Sequence, residues 1–183
     1  PILVNKYIPD MKKYVSGTGS PMYYAARIAK EKYPDAKIVF VGPCVAKRKE
    51  AQRDEAVDFV MTFEEVSSIF DAFEVNLEIV QPYAMEFSSV REAHGFAQAG
   101  GVMGAVKAFL KMEADKINAI QVSDLNKKNI GTLRAYAKSG KAPGQFIEVM
   151  ACEGGCITGP STHSGSNGKR QLVQELAKQE KTY

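Results

Sequence analysis

The chain has only three cysteines among its 183 residues, too few for a disulfide scaffold. An excess of one charge is also missing, because 24 basic and 21 acidic residues give a net charge of +3 without a stripe of lysine and arginine. No apolar run reaches the roughly 18 residues that a membrane-spanning helix needs. The composition therefore favours a cytoplasmic protein that binds neither nucleic acid nor membrane.

Short apolar strands alternate with helical patterns along the sequence, and 45% of the residues are hydrophobic. This alternation predicts an α/β fold with a mostly parallel β-sheet of about four strands flanked by helices, in a single domain spanning residues 1–183. The predicted strands are 37–41, 57–61, 117–122 and 146–150, with 76–80 as a short edge strand. The first predicted helix begins at residue 2, and the others cover 21–32, 63–73, 102–112, 133–139 and 169–181.

Two of the predicted strands are followed closely by a cysteine. Cys44 comes after 37–41 in "KIVFVGPCVAK", and Cys152 comes after 146–150 in "EVMACEGGCITGP". If both strands belong to one parallel sheet, their carboxyl ends lie at the same edge, where ligand sites of such sheets form. We therefore predict that 37–41 and 146–150 lie parallel in one sheet and that the two thiols meet at its edge.

The third cysteine, Cys156, lies four residues after Cys152, beyond Gly154 and Gly155. Because glycine tolerates positive φ, the loop can turn Cys156 back toward the same point. Three soft ligands would suit a metal centre, although cysteines also commonly fill small core sites. A zinc site with His163 as fourth ligand is disfavoured by the Cys-x3-Cys spacing, and an iron–sulfur cluster as a rule needs four thiolates.

Segments along nearly the whole chain resemble the catalytic domain of the [FeFe]-hydrogenases, in the same order as in that family. The resemblance implies the second lobe of the two-lobed H-domain, which is the C-terminal domain of the large chain of iron hydrogenases. Its cofactor there, the H-cluster, is a [4Fe–4S] cubane joined to a diiron centre through a cysteine sulfur. The segments are "YIPDMKKYVSGTGSPM", "GPCVAKRKEA", "GFAQAGGVMGAVKA", "YAKSGKAPGQFIEVMAC" and, most specifically, "FIEVMACEGGCITGP".

The resemblance implies that Cys44, Cys152 and Cys156 are three of the four cubane ligands, with Cys156 bridging to the diiron unit. In the family the fourth ligand is a cysteine directly followed by proline. Since this chain opens at Pro1 and enters an apolar helical pattern at once, we expect it to be a segment that starts one residue after that ligand. The first lobe of the same domain is then a required partner, and we expect the segment alone to be inactive and to hold no complete H-cluster.

The same resemblance implies roles for four further residues. Lys47 matches the lysine that hydrogen-bonds a cyanide ligand of the diiron unit, and Glu50 matches its acidic companion. Met150 matches a methionine that packs beside the diiron site, and Ser16 matches a serine of the proton path. The chemistry of the first pair is consistent with this, because an ammonium donates readily to an anion and a carboxylate three residues further can hold it.

Two departures from the strongly catalytic members concern the signature loops. Gly42 stands where those members have methionine, and "CITGPSTH" replaces a glycine triplet followed by Gln-Pro. The Gly-Pro-Cys form of the second loop and the "ILVN" after Pro1 are more similar to a sensory branch. One expectation is therefore a low-turnover hydrogen sensor that works with an electron carrier such as ferredoxin or with a signalling domain. The alternative is a non-catalytic module similar to the hydrogenase-like proteins of cytosolic iron–sulfur assembly.

Overall fold

Short strands and helices alternate in residues 2–83 and 90–179, the part of the chain that this computed structural model describes. The α-helices there are α1 (Ile2–Tyr7), α2 (Pro21–Lys32), α3 (Ala46–Ala51), α4 (Phe63–Ala72), α5 (Arg91–His94), α6 (Gly101–Leu110), α7 (Lys127–Ser139) and α8 (Gly165–Ala177). The strands are β1 (Val39–Gly42), β2 (Phe59–Thr62), β3 (Ala119–Ser123) and β4 (Phe146–Met150), and short 3₁₀ helices lie at Pro9–Tyr14, Gly95–Ala97, Lys111–Lys116 and Cys156–Thr158. No helix within these ranges combines the length and the apolar character needed to cross a membrane.

The strands form two parallel pairs, β1 with β2 and β3 with β4. The predicted α/β class and the parallel strand direction are confirmed. The prediction that 37–41 and 146–150 share one sheet is wrong, because β1 and β4 each pair with the strand nearest along the chain. Each pair is a local β-α-β unit, closed by α3 in the first case and by α7 in the second.

Contacts between residues divide the chain into two compact units. The first unit comprises Pro1–Gly17, Ser89–Thr158 and Ser166–Tyr183 and contains β3 and β4. The second comprises Thr18–Ser88 and Gly159–Gly165 and contains β1 and β2. The single domain of residues 1–183 stays a prediction.

In the second unit, α2 packs on the β1–β2 pair. As predicted, Ser20 caps α2, accepting a hydrogen bond from the Tyr23 N–H at 3.3 Å, and Pro21 occupies the first turn. The buried side chains of Met22, Ala26 and Val57 form the core cluster on this side. This packing fixes the carboxyl end of β1, from which the Cys44 loop departs.

The core of the first unit lies where α7 packs against β3 and against the N-terminal segment that includes the 3₁₀ helix Pro9–Tyr14. Its buried members are Ile8, Met11, Val122, Leu133 and Ala137. The predicted stop of α7 at Gly140 is confirmed, with that glycine at φ 66°. The helix starts six residues before the predicted 133, at Lys127.

The early start of α7 has a local cause, because the Asn126 side chain accepts from the Asn129 N–H at 2.9 Å and caps the helix. Three strands, β1, β2 and β3, start two residues later than predicted. For β1 and β3 the reason is also a side-chain hydrogen bond. The N–H groups of Ile38 and Asn118 are taken by side-chain oxygens of Asp58 and Gln145, at 2.8 and 2.9 Å, before the strand ladders begin.

Residues 76–80 do not form the predicted edge strand. The Asn76 side chain accepts from the Glu78 N–H at 2.9 Å, and the Asn76 carbonyl accepts from the Ile79 N–H at 3.3 Å. These bonds close a turn, since a short amide side chain competes with strand pairing. The last helix also differs from the predicted 169–181: α8 runs from Gly165 to Ala177, and residues 180–181 lie outside the described residues.

Candidate functional site

The loop that carries Cys152 and Cys156 follows β4 directly. Both cysteines are partly buried thiols. Gly154 and Gly155 adopt φ of 77° and 102°, in the left-handed region that glycine enters without strain. The expectation that these two glycines adopt positive φ is confirmed, whereas the return of Cys156 toward the other thiols stays a prediction.

The same loop is held by contacts that the sequence did not reveal. The Ser123 hydroxyl accepts from the Gly154 N–H at 3.0 Å and donates to the Cys152 carbonyl at 3.3 Å. The Ala99 N–H donates to the Gly154 carbonyl at 2.9 Å. A Cβ placed on Gly155 would lie 2.4 Å from the Ala99 nitrogen, so this position has no room for a side chain. The position of Ser123 at the end of β3 becomes informative only once β3 is known to pair in parallel with β4, because it then lies at the edge where the cysteine loop begins.

A buried carboxylate lies in β4 itself, four residues before the first cysteine of the loop. Glu148 is 4% exposed and accepts from the N–H groups of Gly100 and Met103, at 2.6 and 2.7 Å. Gly100 is the N-cap residue of α6 and Met103 lies in its first turn, where the helix dipole favours an anion. Glu148 thus fixes the start of α6 to the strand that leads into the cysteine loop. Its sequence signal was a single acidic residue inside the apolar run "FIEVM".

In the second unit, Cys44 lies two residues after the end of β1 and is partly buried. Its carbonyl accepts from the Lys47 N–H at 3.1 Å. The Lys47 ammonium contacts Glu50 Oε2 at 2.7 Å, and Glu50 Oε1 accepts from the Ser20 hydroxyl. The structure therefore brings Lys47 and Glu50 together and adds Ser20, the cap of α2, as a second partner of that carboxylate.

The helix that carries Lys47 and Glu50 is attached to its neighbour by an ion pair. Arg48 donates to Glu65 at 2.6 Å, and Glu65 completes the predicted capping box with Thr62 at the start of α4. The Thr62 N–H, assisted by Arg48 and the Thr62 hydroxyl, lowers the pKa of Glu65 below its usual value. Near the start of β1, the Ile38 N–H and the Lys37 ammonium lower the pKa of Asp58 from 3.8 to about 2.

The remaining predicted residues lie at scattered positions. Met150 is the last residue of β4, and Ser16 lies in an exposed segment after the 3₁₀ helix Pro9–Tyr14. His163 is exposed in the second unit, whereas His94 contacts Gln179 at 2.8 Å in the first. Among residues 2–83 and 90–179, no three or more cysteine, histidine or acidic side chains are grouped as in a metal site.

The donors fit an iron–sulfur cluster in kind, because thiolates are its usual protein ligands. They are one too few for a cubane, since the chain has three cysteines. The first unit contains Cys152 and Cys156 in one loop, and the second contains Cys44 beside the Lys47–Glu50 pair.

Comparisons with known proteins concern nearly the whole chain. Residues 2–160 match the family model described as "Iron only hydrogenase large subunit, C-terminal domain". The chain is 27% identical to the cytosolic Fe-S cluster assembly factor narfl of Danio rerio, over 91% of this chain and 54% of the relative. It is 28% identical to iron hydrogenase 1 of Clostridium pasteurianum, over 84% of this chain and 34% of the relative. The chain thus spans about a third to a half of the length of these curated relatives.

Solved structures share the fold at lower identity. A variant of the [FeFe]-hydrogenase HydA1 from Chlamydomonas reinhardtii aligns with a TM-score of 0.68 and 20% identity, over 95% of this chain and 63% of that chain. A second variant of the same enzyme aligns with a TM-score of 0.66 and 21% identity, over 95% and 63%. The arrangement of helices and parallel strand pairs is therefore one that these structures also contain.

Proposed function

Because this chain belongs to the family of the iron-only hydrogenase large subunit, C-terminal domain, we propose that it is the part of an [FeFe]-hydrogenase-like protein that binds an iron–sulfur cluster. The observation that carries the proposal is the loop after β4. It presents Cys152 and Cys156 on either side of two glycines with positive φ, and backbone hydrogen bonds hold it from two other segments. A loop that only filled core space would not need two thiols across a turn that excludes side chains.

The ligands in this proposal are the thiolates of Cys44, Cys152 and Cys156, with a fourth ligand from outside the chain. In the full-length protein, Cys156 would also help to hold a diiron subcluster beside the [4Fe–4S] cluster. The complete H-cluster would supply reversible oxidation of hydrogen, H₂ ⇌ 2H⁺ + 2e⁻. Electrons would pass to a carrier such as ferredoxin, or a signalling domain would report the state of the cluster if the protein is a low-turnover sensor.

Lys47 is proposed to donate a hydrogen bond to an anionic ligand of the diiron subcluster. Its side chain is 20% exposed and its ammonium is paired with Glu50, so its direction is largely set before any ligand is present. Met150 would pack beside the diiron unit at the end of β4, and Ser16 would take part in proton transfer.

The second candidate function is cluster binding without hydrogen turnover. It is favoured by the similarity to a relative named as a cytosolic Fe-S cluster assembly factor, at an identity close to that of the named hydrogenase. Gly42, where strongly catalytic members have methionine, argues against fast turnover and is consistent with either a low-turnover sensor or this second candidate. In this case the three thiolates would hold a cluster for transfer or as a structural centre.

The test uses the full-length protein produced with the hydrogenase maturation system. Cys44→Ser and Cys156→Ser are compared with Ser68→Ala, which alters an exposed hydroxyl on α4. We expect each cysteine variant to lose most of its iron and its cubane signal in electron paramagnetic resonance, while the Ser68 variant keeps both. Iron content equal in all three would refute cluster binding. If the unaltered protein holds a cluster but does not catalyse exchange between hydrogen gas and deuterium, the second candidate is favoured.

A further inference from the structure

We propose that Ser123 is a positioning residue that fixes the conformation of the Cys152–Cys156 loop before any cluster binds. The proposal rests on the proposed function only in assigning that loop to a cluster. Ser123 ends β3 and pairs in register with Met150, the last residue of β4. Its side chain therefore lies at the edge of the strand pair from which the cysteine loop departs.

The hydroxyl of Ser123 joins two backbone groups that flank residue 153. It accepts from the Gly154 N–H at 3.0 Å and donates to the carbonyl of Cys152 at 3.3 Å. The same carbonyl also accepts from the Gly155 N–H at 3.1 Å, which closes the turn. One side chain thus satisfies a donor and an acceptor in the short segment between the two thiols.

The opposite side of the turn is held by a different segment. The Ala99 N–H donates to the Gly154 carbonyl at 2.9 Å, and the Gly155 Cα lies against the backbone of residues 97–99. Hydrogen bonds from the end of β3 and from the segment before α6 therefore hold the loop on two sides. Ala99 contributes only backbone. Within the loop itself, the Thr158 hydroxyl donates to the carbonyls of Glu153 and Gly155. Ser123 is a side chain from outside the loop whose hydroxyl binds the backbone of the turn.

The backbone of Ser123 is fixed independently of its hydroxyl. The Asn129 side-chain amide donates to the carbonyls of Ser123 and Asp124, at 3.0 and 2.7 Å. The Leu125 N–H donates to the Ala151 carbonyl at 3.1 Å. Removal of the hydroxyl should leave these bonds in place and release only the turn between the cysteines.

Ser123 contacts neither thiol in these hydrogen bonds, so it acts through the backbone that carries them. Partners that orient metal ligands without touching the metal commonly change metal affinity by about 10- to 100-fold when they are removed. We expect the lower end of that range here, roughly 10-fold weaker cluster retention. The change should depend on the hydroxyl group and not on the volume of the side chain.

The experiment compares Ser123→Val with Ser123→Thr, which have the same shape and differ in the hydroxyl. Both β-branched residues suit the end of a strand, so both variants should fold. Ser139→Ala is the matched control, because the Ser139 hydroxyl also lies between a backbone carbonyl acceptor and a backbone N–H donor, at the end of α7. Hydrogen–deuterium exchange of residues 151–158 is measured by mass spectrometry in protein purified without metal.

The expected result is exchange of the Gly154 amide about five-fold faster in Ser123→Val, the factor that corresponds to one net hydrogen bond. Ser123→Thr and Ser139→Ala should match the unaltered protein in this segment. If the Gly154 amide exchanges as slowly in Ser123→Val as in the unaltered protein, the proposal is overturned. Equally faster exchange in Ser123→Val and Ser123→Thr would also overturn it, because the effect would then come from side-chain volume and not from the hydroxyl.

A second readout separates this inference from the proposed function. After anaerobic reconstitution with iron and sulfide, electron paramagnetic resonance measures cubane content as the iron concentration is varied. Weaker cluster retention in Ser123→Val than in Ser123→Thr supports the proposal, whereas equal retention refutes Ser123 as a positioning residue for the cluster. If the unaltered protein takes up no cluster while the exchange difference persists, the proposed function fails and the positioning of the loop stands.

Discussion

Replacement of Glu148 by glutamine should destabilise the first unit, because the two N–H groups of α6 then face an amide instead of a carboxylate. The glutamine oxygen can accept from one of them, but its NH₂ group is a donor and opposes the other. Hydrogen bonds to a charged group contribute about 1.5–3 kcal/mol each, and a buried donor without a partner costs about 1–3 kcal/mol. With Glu148 only 4% exposed, water cannot replace the lost bond easily. We expect a loss of about 3 kcal/mol in the free energy of unfolding.

The assay is thermal unfolding followed by circular dichroism, where 1 kcal/mol shifts the Tm by about 2–4 °C in a protein of this size. The expected decrease is therefore about 6–12 °C. Glu175→Gln is the control, because it removes an exposed carboxylate that pairs with Lys178 in the same unit. Such a surface pair contributes at most about 1 kcal/mol. A Tm of the Glu148 variant within about 2 °C of the control would refute the reasoning that the carboxylate clamps the start of α6.

Three further predictions concern the cluster and the pH dependence of stability. In the full-length protein, Lys47→Ala should lower diiron occupancy, seen by infrared spectroscopy, because the diiron unit loses a hydrogen bond of roughly 1.5–3 kcal/mol. Cubane content should be largely retained, and Lys49→Ala, an exposed neighbour, is the control; equal diiron occupancy in both variants would contradict the role of Lys47. The 183-residue chain alone should show no strong CO and CN⁻ infrared bands after reconstitution, since three thiolates leave one cubane corner without a protein ligand, and strong bands would refute this. Asp58, whose folded pKa is about 2 against an ordinary 3.8, should stabilise the fold above pH 4 and lose that contribution as the pH falls from about 4 to 2. Over this pH range the Tm of Asp58→Asn should fall less than the Tm of the unaltered protein. Parallel curves of Tm against pH for the two proteins would contradict the prediction.

The elements that the sequence predicted well are those with local signals. The cap and proline at Ser20 and Pro21, the capping box at Thr62 and the glycine stop at Gly140 each act within one turn of their helix. Strand pairing is different, because the residues of a strand do not indicate which other strand it pairs with. The single-sheet prediction inferred a shared edge from two cysteines, whereas the chain pairs each strand with its nearest neighbour across one helix.

The candidate site divides in the same way. The cysteine loop and the Lys47–Glu50 pair could be found in the sequence, because their members lie within a few residues of one another. Ser123 and Glu148 could not, since the groups they contact lie 31 and 48 residues away along the chain. A serine at a strand end and a glutamate in an apolar run have meaning only once the register of β3 and β4 is known.

The close approach at Gly155 limits how the loop can vary in related sequences. Any side chain there would enter the space of residues 97–99, where a Cβ would lie 2.4 Å from the Ala99 nitrogen and 2.6 Å from the Gln98 carbonyl carbon. Gly104, with nothing within 4 Å of its Cβ position, carries no such restriction. Glycine at 155 is therefore required by the packing of the protein on itself, and relatives that have lost their cysteines and their cluster should still retain it.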